Sequence, residues 1–144
     1  MSSTEDRLAI RELAERYADA VCRRDADDWG ATWAPEGAWD LGGHVVEGRS
    51  KLVPFWTTTM QKFPFVVQII HSVIVDDVDG DSATARCWLG EQLTDGDGNA
   101  RSTVGHYVDE LVKIEGRWHY LRRTYQTVSV ADVTLSMTNP LGSD

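Results

Sequence analysis

Four segments rich in β-branched and aromatic residues, Phe65–Val75, Ser82–Thr94, Ser102–Ile114 and Trp118–Val130, follow one another with short turn sequences between them. The connections are Asp79-Gly80-Asp81, Asp95-Gly96-Asp97-Gly98-Asn99 and Glu115-Gly116. Gly, Asn and Asp accept the positive φ that tight hairpins require, so these connections close antiparallel strand pairs. The second half of the chain is thereby committed to a four-strand meander, one face of which must be covered by elements from upstream.

The upstream half supplies that cover. Thr4, Glu5 and Asp6 open a helix predicted over residues 5–23, with acidic groups where the helix dipole favours them. Leu8, Ile10, Leu13, Tyr17, Ala20 and Val21 recur at spacings of three and four, and Arg11, Glu12, Glu15, Arg16, Asp19 and Arg23 take the other face. Asp25 caps a short second helix expected to carry Trp29 and Trp33 and to end at Pro35 and Gly37. Short strands at 38–41 and 44–47 flank Gly42-Gly43, and a third helix over about 50–62 starts at Ser50, with Pro54 in its first turns. The expected fold is α+β, a curled antiparallel sheet packed on three N-terminal helices. It forms one domain over 1–144, with a core at about 5–130 and a tail at 131–144.

Several function classes are excluded by composition. With 14 basic and 23 acidic residues the net charge is −9, the wrong sign for a phosphate-tracking nucleic-acid binder. The longest apolar window, Phe63–Ile70, is broken by Pro64 and Gln68, so no membrane span is expected. The polar N-terminus lacks a signal-peptide core, and Cys22 and Cys87 make neither a disulfide framework nor a zinc motif; a cytoplasmic, reduced protein is expected. His44, His106 and His119 lack metal-ligand spacing and Asp95–Asn99 reads as a turn, so neither metal nor cofactor is expected. Six Trp, four Tyr and three Phe exceed what a small core needs and leave rings to line an apolar pocket.

The order of elements, together with Arg16-Tyr17-Ala18-Asp19-Ala20-Val21, Arg23–Trp29, Gly37–Leu41, Ile70–Val75, Val78–Arg86, Gly105–Val112 and Gly116–Arg123, resembles the nuclear transport factor 2-like superfamily, and within it the SnoaL-like group. The resemblance covers roughly 5–130. It implies a cone-shaped fold, an apolar cavity between the concave sheet and the first helix, and homodimers. Among relatives of this pattern, scytalone dehydratase and hexachlorocyclohexane dehydrochlorinase use a strand histidine as base, oriented by an aspartate late in the first helix. His71 matches the histidine, and the aspartate position falls on Cys22. Ketosteroid isomerase, more distant, places a functional aspartate where Asp109 stands and an oxyanion tyrosine where Tyr17 stands.

Period-two alternation puts Val67, Ile69, His71 and Val73 on one face, so His71 is expected inside the cone, as a hydrogen-bonded core histidine or as a general base. Asp109 shares a face with Thr103, Gly105, Tyr107 and Leu111; inside the cone it either raises its pKa and donates a proton or pairs with a cation, with orientation of His71, directly or through a water, as its role, and otherwise it is a solvated outward acid. Tyr17 is an oxyanion donor or a core tyrosine. Only one of Arg122 and Arg123 can face inward, and the resemblance favours Arg123, beside Leu121, Tyr125 and Thr127. Trp39, Leu41, Cys22, Ile69, Cys87 and Leu89 are expected as pocket wall. The implied activity is that of a small cofactor-independent lyase or isomerase (dehydratase, cyclase or dehydrohalogenase) acting on an apolar, aromatic or polycyclic small molecule. The alternatives are a non-catalytic binding protein of the same fold and the small structural subunit of an aromatic-ring dioxygenase. Trp88, Val104, Val108 and Val112 on the opposite sheet face point to a homodimer.

Overall fold

The computed structural model describes residues 3–137. Its elements run α1 (Thr4–Arg23), α2 (Ala26–Ala31), β1 (Trp33–Leu41), β2 (His44–Glu47), α3 (Arg49–Met60), β3 (Phe65–Asp79), β4 (Ser82–Thr94), β5 (Ala100–Ile114) and β6 (Arg117–Val133). The strands form one sheet in the order β2-β1-β6-β5-β4-β3, curled but not closed, with the helices on its concave side. The expected meander is β3 to β6, all antiparallel. Among the described residues no helix is long and apolar enough to cross a membrane. The part of the expected tail at 138–144 lies outside the described residues.

Local chemistry explains most boundaries. Ser3, not Thr4, caps α1 by accepting from the Asp6 amide, and Asp25 caps α2 by accepting from Asp28. Asp6 also receives Lys113 Nζ and Trp118 Nε1, each at 3.0 Å, which ties the start of α1 to the β5–β6 hairpin. These donors hold its carboxyl down at about 2. α3 begins at Arg49, one residue before the expected Ser50, and its N-cap is Gly48, with φ 90° and no side-chain cap.

Trp33 is a correction. It begins β1 rather than belonging to the second helix, and Pro35 and Gly37 lie within that strand. The pairing of β1 with β6 is parallel and slips between Trp33 and Ala38. Proline is tolerated at such an irregularity because no ladder hydrogen bond is demanded of it. The parallel partners of β1 lie 84 to 87 residues downstream, beyond the reach of any local pattern.

Two slips decide which side chains enter the cone. On β3, Ile70 pairs with Leu89 and Ser72 with Trp88, which leaves His71 as an extra residue in a bulge; a second slip falls at Asp76. A bulge inverts the alternation that follows it. Val66, Gln68 and Ile70 therefore face the core before His71, and Val73 and Val75 after it. On β6, Leu111 pairs with Tyr120 and Glu110 with Arg122, so Leu121 falls at a slip. Trp118 and Tyr120 point inward ahead of it, and Arg123 and Tyr125 after it.

The core is unusually aromatic. Trp29 and Trp33 are fully buried, Trp29 stacks on Trp56 at 4.9 Å, and Trp39, Tyr17 and Tyr120 pack edge-on or tilted around them. Rings of this size bury large apolar areas and fix one another's orientation.

Candidate functional site

The floor of the cone is built around Arg123. Its guanidinium donates to both carboxylate oxygens of Asp109, Nε at 2.8 Å and Nη2 at 3.1 Å, and the two residues are 1% and 2% exposed. The pair follows from sheet register, since Asp109 on β5 lies directly opposite Arg123 on β6. Three tyrosine rings enclose the cation: Tyr107 at 3.6 Å, Tyr120 at 4.0 Å and Tyr17 at 4.5 Å. Burial pushes the Asp109 carboxyl up and the guanidinium pulls it back. The two-pronged contact is the geometry of an ionised pair. The Tyr107 hydroxyl meets that of Tyr17 at 3.4 Å and accepts Trp39 Nε1 at 3.3 Å. Burial raises the pKa of both phenols, so both stay neutral donors.

Three of the four expected catalytic residues thus come together, but as a closed cluster whose charges satisfy one another. His71 does not join them. It is exposed, and its Nε2 lies 2.7 Å from where a Gly90 Cβ would stand. Gly90 alternates with Leu89 and Glu91, so that Cβ would project from the convex face, beside Trp88. The expectation that His71 enters the cone is corrected, because the bulge turns it outward. The expected bond from Asp109 to His71 is corrected with it, as Asp109 is on the concave side and taken by Arg123. Ile69, expected as wall, is 45% exposed on the convex face. Trp39, Leu41, Cys87 and Leu89 do face inward. Arg122 points away and binds Asp40 at 2.9 Å. Cys22 lies against β3, donating to the Gln68 carbonyl at 3.4 Å and accepting the Gln68 amide at 3.3 Å. It occupies the end of α1 as a packing residue and takes no part in the Arg123 cluster.

A second polar group lies toward the other end of the concave face. Gln68 on β3 pairs with Glu91 on β4, which pairs in turn with Thr103 on β5. Gln68 is 8% exposed, and its Oε1 has no hydrogen-bond partner. Glu91 keeps some contact with solvent, yet its surroundings desolvate it enough to raise its pKa, against the pull of the Gln68 side chain. Tyr125 lies over Gly105, its ring occupying the space a Cβ would take, and its pKa is raised by burial and by Glu91. Partly buried apolar residues border this end: Leu41 beside Tyr125, Phe55 against Trp39, and Ile70 and Leu93 next along the strands from Gln68 and Glu91.

Two surface hollows lie elsewhere. One of about 880 Å³ is formed by the β4–β5 turn with Asp132–Leu135 and Met137, and one of about 490 Å³ by α1, Arg117 and His119. Neither includes a residue of the cone floor or of the Gln68–Glu91 group.

A SnoaL-like domain is matched over residues 2–124. The chain belongs to the SnoaL-like family. No curated protein matches it. A solved protein of Novosphingobium aromaticivorans, proposed to be an aromatic ring hydroxylase, is 25% identical, with TM-score 0.84 over 92% of this chain and 96% of that one. A Mycobacterium tuberculosis protein of unknown function is also 25% identical, with TM-score 0.77 over 85% and 72%. Hexachlorocyclohexane dehydrochlorinase LinA-type3 of Novosphingobium barchaimii shares the fold, with TM-score 0.81 over 94% and 96%, at 13% identity.

In this SnoaL-like cone the residues that sequence reasoning passed over are Gln68, Glu91 and Tyr125. A signal for Glu91 exists. Ala83, Ala85, Cys87, Leu89 and Leu93 make one apolar face of β4, and Glu91 is the single carboxylate in that series. Gln68 stands out in the same way as the one polar residue of Phe65–Ile70.

Proposed function

We propose that this protein binds an apolar small molecule at the open end of its cone, as a non-catalytic member of its family as far as His71 chemistry is concerned. The observation that supports this reading is that Leu41, Phe55, Ile70, Leu93 and Tyr125 pack on the buried core yet stay only partly buried. Apolar side chains with a few polar groups between them are the usual composition of a small-molecule site. The lyase or isomerase reading by histidine proton abstraction has no support here: His71 is outside the cone, and Tyr17, Asp109 and Arg123 are engaged with one another. The test is titration with a bicyclic hydrocarbon such as 1-methylnaphthalene, followed by quenching of Trp39. Binding that is abolished in Leu41→Asp supports the site, and quenching unchanged by that substitution overturns it.

Homodimerisation through the convex face belongs to the same reading. Ile69, Ile74, Trp88 and Val108 are exposed there, large apolar side chains that water disfavours.

A further inference from the structure

We infer that Gln68, Glu91 and Tyr125 form a hydrogen-bonding subsite at the open end of the cone, which receives the hydroxyl group of an uncharged, otherwise apolar ligand. The inference rests on the apolar site described under Proposed function and names the polar group its ligand carries.

The first support is Gln68 itself. Buried polar atoms are almost always paired, because an unmatched acceptor loses its water without recompense. Gln68 Oε1 is buried and unmatched, on the concave face, at a position where the strand pairing holds the backbone rigid. The Gln68 amide N–H and the Cys22 thiol are used up on each other and on the backbone, so neither can turn to serve it.

The second is its cross-strand neighbour. Glu91 shares the face, and its carboxyl accepts from the Gln68 side-chain amide, which anchors that amide and leaves Oε1 as the open acceptor of the pair. A ligand hydroxyl matches it by giving its hydrogen to Gln68 Oε1.

Third, the surroundings select against charge. The buried cation of the fold, Arg123, is committed to Asp109, and Arg101, two residues along β5 from Thr103, acts on Asp95 at the hairpin turn. A ligand carboxylate brought to Glu91 would meet no free counter-charge and would lose its hydration. The Tyr125 ring, lying over Gly105, supplies a flat wall for the apolar body.

Three probes of one shape separate the possibilities: 1-naphthol, 1-methylnaphthalene and 1-naphthoate, measured by equilibrium dialysis against the whole chain at neutral pH. The expected order is naphthol about tenfold tighter than methylnaphthalene, as one to two net hydrogen bonds imply, with naphthoate weakest. Gln68→Leu should abolish the naphthol advantage and leave methylnaphthalene binding intact. Glu91→Gln, whose amide oxygen still accepts from the Gln68 side chain, should retain most of it. Equal binding of naphthol and methylnaphthalene by the unmodified protein overturns the subsite but leaves the apolar site standing. Tight naphthoate binding overturns the claim of an uncharged ligand. If none of the three binds, the apolar site falls and the subsite falls with it. The comparison on the unmodified chain decides the matter even where Gln68→Leu fails to fold.

Discussion

The carboxylate of Asp109 and the guanidinium of Arg123 form a two-pronged ion pair, at 2.8 and 3.1 Å, sealed beneath three tyrosine rings. Both residues had a chemical role open to them, and the pairing converts that role into a structural one. An ion pair this deep stabilises little in net terms, but removing one partner strands a charge in the core.

Asp109→Asn should therefore act on stability. The expected loss is about 3–5 kcal/mol, read as a lower urea midpoint, because Arg123 is left without its counter-charge. The double variant Asp109→Leu with Arg123→Met should recover much of that loss, as apolar replacements of buried pairs often do. An Asp109→Asn variant with an unchanged midpoint would show that the pair is not closed in solution.

Glu91 sets a pH dependence of definite sign. Its folded pKa lies above the ordinary value of 4.5, so folding favours the protonated form. The contribution is fully present below the unfolded value and is lost as pH rises through the folded one. Glu91→Gln removes the titration. Its urea midpoint relative to the parent should accordingly rise as pH climbs through that folded pKa, and a difference independent of pH would contradict the burial of this carboxyl.

His71→Ala should change stability by no more than about 0.5 kcal/mol, the usual range for surface positions. It should also leave the affinity for 1-methylnaphthalene unaltered. A large loss of binding would mean that the imidazole reaches the cone in solution, through a rearranged bulge.

Sedimentation tests the convex face. The parent chain should run as a dimer of the 16.1 kDa protomer at micromolar concentration, and the pair Trp88→Asp with Val108→Asp should run as a monomer. Trp88, tilted against His106 at 4.3 Å and 40% exposed, lies on that face. A monomeric parent would leave the exposed apolar set without an occupant of its own kind.

Much of the architecture was legible residue by residue. The i, i+3, i+4 stripe of Ile10, Leu13, Tyr17 and Val21 marked α1, and the Asp-Gly turns marked the hairpins, because both patterns are consequences of local backbone geometry. Alternation allowed only one of Arg122 and Arg123 to face inward, and the family resemblance favoured Arg123 and pointed to Trp39 and Leu41, all three of which face the core. The reading failed where alternation was carried across a slip. Val67, Ile69, His71 and Val73 seemed one face only under a strict period of two, and Trp33 was assigned to a helix because its strand partner, Tyr120, is remote in sequence.

The sequence by itself determined the elements and their order, since helix periodicity, turn chemistry and capping act over a few residues, while the family came as a resemblance of motifs. Only the tertiary structure decided which polar groups share the cone. Whether His71 faces in or out depends on an extra residue that β3 accommodates against β4, and no local preference records where two strands agree to slip. Likewise, Asp109 meets Arg123 and Gln68 meets Glu91 through cross-strand register, a property of pairs of segments rather than of either one.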